Sequence, residues 1–300
     1  MRRSAAKKTK NGRAVVVAAV VWTIAILLAN AVEAAADASR APFAESLTWK
    51  ALRVSGAAWE GDQTIENWDT AREEMHGLLS DAGVAPEHTR ILSSMPEYRG
   101  DTVRGVRIRQ ATEHNLEAGL DSLDLGEGDA AFIFLTSHGA SNQGFVLEAD
   151  YAHDGILSID ELDALLDEYV GDLPAVILVS ACFSGQFIQG EDPAYDYYDP
   201  GLTITSPTRI ILTAARNDRS SFGCGSGSRM PHWDDALLDT LRSQPLNADW
   251  TDVARKVESA VADQENGFAE SSRSYPQAFI GEAVDPRVHG LVRRIAADGA

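Results

Sequence analysis

From about residue 50 onward, short apolar runs rich in β-branched residues alternate with segments of helical period, and Gly, Asp and Pro mark the joins. The apolar runs predict strands over Ala51 to Ala58, Thr89 to Ser93, Ala130 to Ser137, Ala175 to Ala181 and Arg209 to Ala214. Between them, residues 67–81 place Trp68, Met75, Leu78 and Leu79 on one helical face, residues 112–123 do so with Leu116 and Leu120, and residues 158–169 with Leu162, Leu165 and Leu166. Ser158 followed by Glu161 is the sequence pattern of a capping box at the start of the third helix. Strand and helix in alternation predict an α/β fold with a mostly parallel central sheet. There is no internal repeat and no low-complexity linker, so one domain is expected over residues 48–290, followed by a C-terminal tail at 291–300. Gly185 to Thr208 stands apart as a long irregular loop with Tyr195, Tyr197 and Tyr198 among acids and prolines.

Ahead of this body, Arg2, Arg3, Lys7, Lys8, Lys10 and Arg13 precede an apolar run from Ala14 to Leu28 that only Thr23 interrupts. A basic stretch, an apolar core and then small residues (Ala29-Asn30-Ala31, and again at Ala34 to Ala36) form the order of an export signal. Ala14 to Val32 also approaches the ~20 residues that span a bilayer, so residues 1–36 read as a cleaved signal peptide or an uncleaved anchor, with residues 37–47 as a tether. The expected compartment is outside the cytoplasm: periplasmic, secreted or membrane-anchored. The 300 residues carry a net charge of -19, and removing the leader makes the body more acidic still. Such a surface repels phosphate backbones and anionic lipid heads, which excludes a nucleic-acid partner and leaves the membrane only through the N-terminal segment.

Two cysteines, Cys182 and Cys224, are too few for a disulfide framework; they form one bridge, two structural thiols, or include a reactive thiol. Residues 130–139 form a buried strand that stops on His138 and Gly139, and residues 176–185 form a second that stops on Cys182. Chemistry in parallel sheets gathers at the carboxyl ends of strands, so these two side chains can face one crevice as a nucleophile and its base. Turns at Gly139 and Cys182 can offer backbone N–H groups to a tetrahedral oxyanion. No metal-ligand spacing occurs among the remaining histidines. The segment Asp150 to Glu161 matches part of a calcium loop, but Ala152 breaks it and the preceding residues read as strand, so it is taken as a turn at Asp154-Gly155 followed by the Ser158 cap. Neither metal nor cofactor is expected.

Thr136-Ser137-His138-Gly139, then Ser180-Ala181-Cys182-Phe183-Ser184-Gly185, then Thr213 to Cys224 together resemble the three signature blocks of the legumain-type cysteine peptidases, peptidase family C13, and especially their bacterial branch. The resemblance implies a caspase-like α/β/α sandwich over roughly residues 50–285. It implies catalysis by His138 and Cys182, with Gly139 and Cys182 as oxyanion donors and a peptide or protein as substrate. It further implies a pocket at Ser220, Ser221 and Asp235 that favours cleavage after Asn, or after Asp at lower pH. Two departures stand out: Ser180 replaces a Glu that eukaryotic legumains carry, and their Asn and Arg-His elements have no readable counterpart between Trp59 and Asn67. The alternatives are a transamidase or transpeptidase built on the same dyad, and a non-catalytic acidic binding module on the same fold. The oligomeric state is left open.

Overall fold

The computed structural model describes residues 46–57, 62, 64–195, 198–225, 227–245 and 247–298. The expected export leader and most of the expected tether lie outside the described residues, as does Tyr197 of the long loop. Among the described residues, no helix is long and apolar enough to cross a membrane. The chain from Leu47 onward packs as one compact unit.

In chain order the elements are β1 (Thr48–Ser55), α1 (Ile65–Asp81), β2 (Thr89–Ser93), β3 (Thr102–Val103), β4 (Val106–Gln110), α2 (Glu113–Asp121), β5 (Asp129–Thr136), β6 (Gly139–Ala140), β7 (Gly144–Val146), β8 (Ile156–Leu157), α3 (Ile159–Tyr169), β9 (Ala175–Ser180), α4 (Gln186–Gln189), β10 (Arg209–Thr213), α5 (His232–Arg242), α6 (Trp250–Gln264), β11 (Gln277–Ile280) and α7 (His289–Asp298). The main sheet has eight strands in the order β11-β10-β9-β5-β1-β2-β4-β3. Its six inner strands run parallel, and β3 and β11 close the edges antiparallel. The long apolar runs are the central strands β1, β5, β9 and β10, which are buried on both faces and so cannot alternate with polar residues.

Successive side chains of a strand leave on opposite faces, and this divides the core in two. Trp49, Ala51, Phe132, Phe134, Val176, Leu178, Ile210 and Leu212 pack under α1, α5, α6 and α7. Leu52, Val54, Ile133, Leu135, Ile177, Val179 and Ile211 pack against α2 and α3 on the other side. The result is a three-layer α/β/α sandwich with a mostly parallel sheet, as expected. Ser158 caps α3, accepting from the Glu161 N–H while the Glu161 carboxylate accepts from the Ser158 N–H, and Asp154 turns the preceding chain by accepting from the Ile156 N–H at 3.0 Å. The expected tail at 291–300 is corrected: Leu291, Val292, Ile295 and Ala296 recur at helical spacing, and α7 buries them in the core, so the packed body runs beyond residue 290.

Chain direction fixes where chemistry can sit. From β1 the chain proceeds to β2 on one side, while β5 adds to β1 on the other, so the crevice beyond the carboxyl ends of β1 and β5 is the switch point of the sheet. β9 then adds beside β5, with Thr136 opposite Ser180. Three strand ends, β1, β5 and β9, therefore feed one crevice.

Candidate active site

His138 stands two residues beyond β5 and Cys182 two beyond β9, and the Ser137 N–H donates to the Ser180 carbonyl at 3.0 Å, which carries the parallel pairing one step past the strands. The two side chains line one cavity together with Trp68, Ser137, Ser180, Ser221, Phe222, Cys224 and Pro231. A Cβ built on Gly139 would lie 1.9 Å from the Cys182 carbonyl oxygen, so only glycine lets the chain after His138 pass this close to the cysteine. The Val146 N–H donates to the His138 carbonyl. Pairs alternate along an antiparallel ladder, which puts Gly139 opposite Phe145 at a non-hydrogen-bonded position with its N–H directed away from β7.

His138 is held by two neighbours that sequence reading did not find. Its Nε2 lies 3.0 Å from Oδ2 of Asp62, a side chain only 5% exposed, on the segment that follows β1. The other Asp62 oxygen accepts from the Thr64 N–H at 2.9 Å and the Thr64 hydroxyl at 2.6 Å, so the carboxylate is itself fixed. The buried Trp68 of α1 meets the imidazole edge to face, with centroids 4.4 Å apart. Asp62 leaves no signature because it sits in an irregular stretch. Trp68 was readable only as a core residue of its helix.

Around Cys182, the second and third signature blocks lock together. Phe183 adopts a left-handed backbone with φ of 57°, an uncommon conformation for a residue with a side chain, and its N–H donates to the Arg219 carbonyl at 2.7 Å. The Ala215 N–H donates to the Ser184 hydroxyl at 3.2 Å. These bonds turn the chain sharply after β9 and leave Sγ beside residues 220–221, where the Ser221 N–H donates to it at 3.3 Å. Burial pushes the Cys182 thiol up from its ordinary value, with hydrogen bonds from the Ser221 backbone and the Ser220 hydroxyl working the other way. The resting group is a thiol at neutral pH. Cys224 forms no disulfide, nor does Cys182, and burial pushes its thiol up as well, with the neighbouring acidic groups adding to the rise.

The expected pocket residues divide. Ser220 and Ser221 lie beside the cysteine. Asp235 does not: it is 39% exposed and pairs with Arg229 at 3.0 Å on the outer side of α5. The acid that faces inward is its neighbour Asp234, which is fully buried. Its Oδ2 accepts from the Thr136 hydroxyl at 2.8 Å and it also bonds Ser180, while Oδ1 has no partner among the described residues. Burial pushes this carboxyl up to about 7. The periodicity of α5 held the signal, because Asp234 falls on the stripe of Leu237, Leu238 and Leu241 and Asp235 falls off it. Asp234 thus lies beneath the ends of β5 and β9, bonded to Thr136 and Ser180, and is not among the residues that line the cavity. The cavity itself is about 10 Å³, roughly the least that holds one water.

The Peptidase C13 family model matches residues 84–251. A solved structure of caspase-1 from Spodoptera frugiperda superposes with a TM-score of 0.52 at 12% identity, covering 79% of this chain and 87% of that one, a likeness of fold. No curated protein matches the chain. His138, Cys182, Ser220, Ser221 and Asp234 fall within the family match, whereas Asp62 and Trp68 precede it.

Proposed function

Because the chain belongs to the peptidase C13 family and is a cysteine-type peptidase with a caspase-like fold, we propose that it is an exported endopeptidase that cleaves through an acyl-enzyme on Cys182. The observation that carries this reading is the meeting of His138 and Cys182 at adjacent parallel strand ends, with the imidazole backed by the buried Asp62. With Asp62 on Nε2, the other ring nitrogen, Nδ1, takes the thiol proton as Sγ attacks the scissile carbonyl. The carbonyl oxygen becomes an oxyanion that the N–H groups of Gly139 and Cys182 stabilise. The imidazolium formed in that step is stabilised by the Asp62 carboxylate and gives its proton to the leaving amine. Water, deprotonated by the same imidazole, then resolves the thioester and restores the thiol.

For specificity, we propose cleavage after Asn, with Ser220 and Ser221 lining the pocket and Asp234, rather than Asp235, supplying its acid. An Asn side chain can donate to an ionised Asp234 and accept from a protonated one, so it suits both states of a carboxyl near 7. An Asp side chain suits it only when one of the two is protonated, so cleavage after Asp gains as pH falls. A cavity of about 10 Å³ holds no side chain, so binding requires the segment carrying Phe222 and Cys224 to shift outward. A peptide library varied at the residue before the cut, run on wild type, Asp234→Asn and Asp235→Asn, tests this. The expected result is an Asn preference altered by the first substitution and untouched by the second. A preference for Arg or Lys, or a profile moved by Asp235→Asn alone, overturns the pocket and leaves the dyad standing. The partition of product between free acid and amide in the presence of an added peptide amine separates hydrolysis from amide transfer: mainly acid for a hydrolase, mainly amide for a transferase. The export proposal rests on the leader, and cell fractionation with N-terminal sequencing of the mature protein tests it.

A further inference from the structure

Behind the catalytic crevice, where α1 crosses β1 and β2, the protein buries two guanidinium groups against one carboxylate. The face of β1 that carries Trp49 and Ala51 into the core under α1 continues with Arg53 and Ser55. Above it, Asp69, Arg72 and His76 share one stripe of α1, and all three are buried. Asp69 is fully occupied: Oδ1 accepts from the hydroxyls of Ser55 at 2.7 Å and Ser93 at 2.5 Å and from Arg72 Nε at 2.8 Å, and Oδ2 accepts from Arg72 Nη2 at 2.8 Å. Arg53 is 0% exposed, and none of its three guanidinium nitrogens has a hydrogen-bond partner among the described residues; Nη1 of Arg72 has none either.

Neighbouring groups do not make up the deficit. His76 places Nε2 3.3 Å from the Val103 carbonyl and accepts at Nδ1 from Ser80, and burial with the adjacent Arg53 charge brings it down to about 4, so it is neutral. Glu74 is taken by Arg229 and Arg242, and Asp81 by Arg104. Burial and the Arg72 charge lower Arg53 only to about 9, which leaves it cationic at neutral pH. A cationic guanidinium that finds no acceptor among the described protein groups is among the most costly groups a core can hold.

We infer that Arg53 and Arg72 form a buried binding site for one small inorganic monoanion of halide size. The chemistry defines the class. The uncompensated charge is a single positive one, so a monoanion closes it where phosphate or sulfate dianion would overshoot. The donors are N–H groups alone, which suits a spherical acceptor that needs no protein acceptor in return. A carboxylate from a peptide does not qualify, because Arg53 is sealed from the surface.

The test uses the whole protein and chloride as the probe. Wild type is melted across a chloride titration in which gluconate keeps ionic strength constant. The expected result is a saturable rise in Tm, roughly 5–10 °C at a hundredfold excess over Kd, reproduced by bromide. Arg53→Met, which keeps an unbranched flexible stem and removes the guanidinium charge, is expected to fold and to melt independently of the anion. Equal melting in chloride and gluconate overturns the site, as does a chloride response that persists in Arg53→Met. Should that variant not fold, crystals of wild type soaked in bromide decide: an anomalous peak in hydrogen-bonding contact with Arg53 supports the site, and its absence there overturns it.

Discussion

Replacing Asp62 separates orientation from charge at the histidine. In Asp62→Asn the one remaining side-chain oxygen can still accept from His138 Nε2, while the NH2 that replaces the other oxygen can donate to the Thr64 hydroxyl but cannot accept from the Thr64 N–H, so the ring keeps its acceptor and the negative charge is lost together with one bond of the supporting turn. At the observed 3.0 Å, a carboxylate and an imidazolium attract by about 5 kcal/mol at an effective dielectric of 20. His138 is 33% exposed, so solvent screens roughly half of this, leaving about 2–3 kcal/mol that acts when the imidazolium forms. At 1.36 kcal/mol per decade, kcat is expected to fall about 100-fold with KM within about twofold. Asp62→Ala also removes the acceptor and is expected to cost about tenfold more, with Asn as the partial rescue. Steady-state kinetics on one peptide, with circular dichroism to confirm the fold, give the reading. A kcat within twofold of wild type in both variants, or a loss carried by KM alone, refutes the role assigned to Asp62.

Three further outcomes follow from the geometry. Asp234 is raised by burial from the ordinary carboxylate value to about 7, so its contribution to stability is complete below about pH 4 and lost as pH rises to about 7, a loss of roughly 4 kcal/mol; Asp234→Asn should therefore melt above wild type at pH 8 and equal it near pH 4. Cys182 rests as a buried thiol, so its alkylation by iodoacetamide should climb steadily from pH 6 to about 8.5 with no plateau, whereas a plateau near pH 6 would mean a preformed thiolate. Gly139→Ala puts a methyl group 1.9 Å from the Cys182 carbonyl oxygen and should cost about 1–3 kcal/mol in thermal melts together with most of the activity; unchanged turnover would contradict the close passage.

What the sequence made legible follows from where the signal is local. β2, β9 and β10 begin where the apolar runs begin, because central strands must be apolar on both faces. His138 and Cys182 were legible because abrupt stops of such runs mark strand ends. β1 starts earlier than expected, at Thr48, since Thr48 and Lys50 break the apolar pattern while still pairing with β5. β4 and β11 were missed: they lie toward the sheet edges, where half-exposed strands such as Val106-Arg-Ile-Arg-Gln110 mix charges into the run. Asp62 was hidden because its partner is 76 residues away and nothing in its own neighbourhood announces it. Asp234 and Asp235 look alike in a string of letters, and only the phase of α5 tells the buried acid from the exposed one.

The central claim is that Cys182, and not Cys224 in the same cavity, is the nucleophile. It is tested most directly by peptide mass mapping of enzyme stopped at half inactivation with a thiol-directed electrophile. The account predicts that adduct on Cys182 equals the fraction of activity lost and that Cys224 remains unmodified. Activity lost with Cys182 intact, or activity kept with Cys182 fully modified, would contradict it.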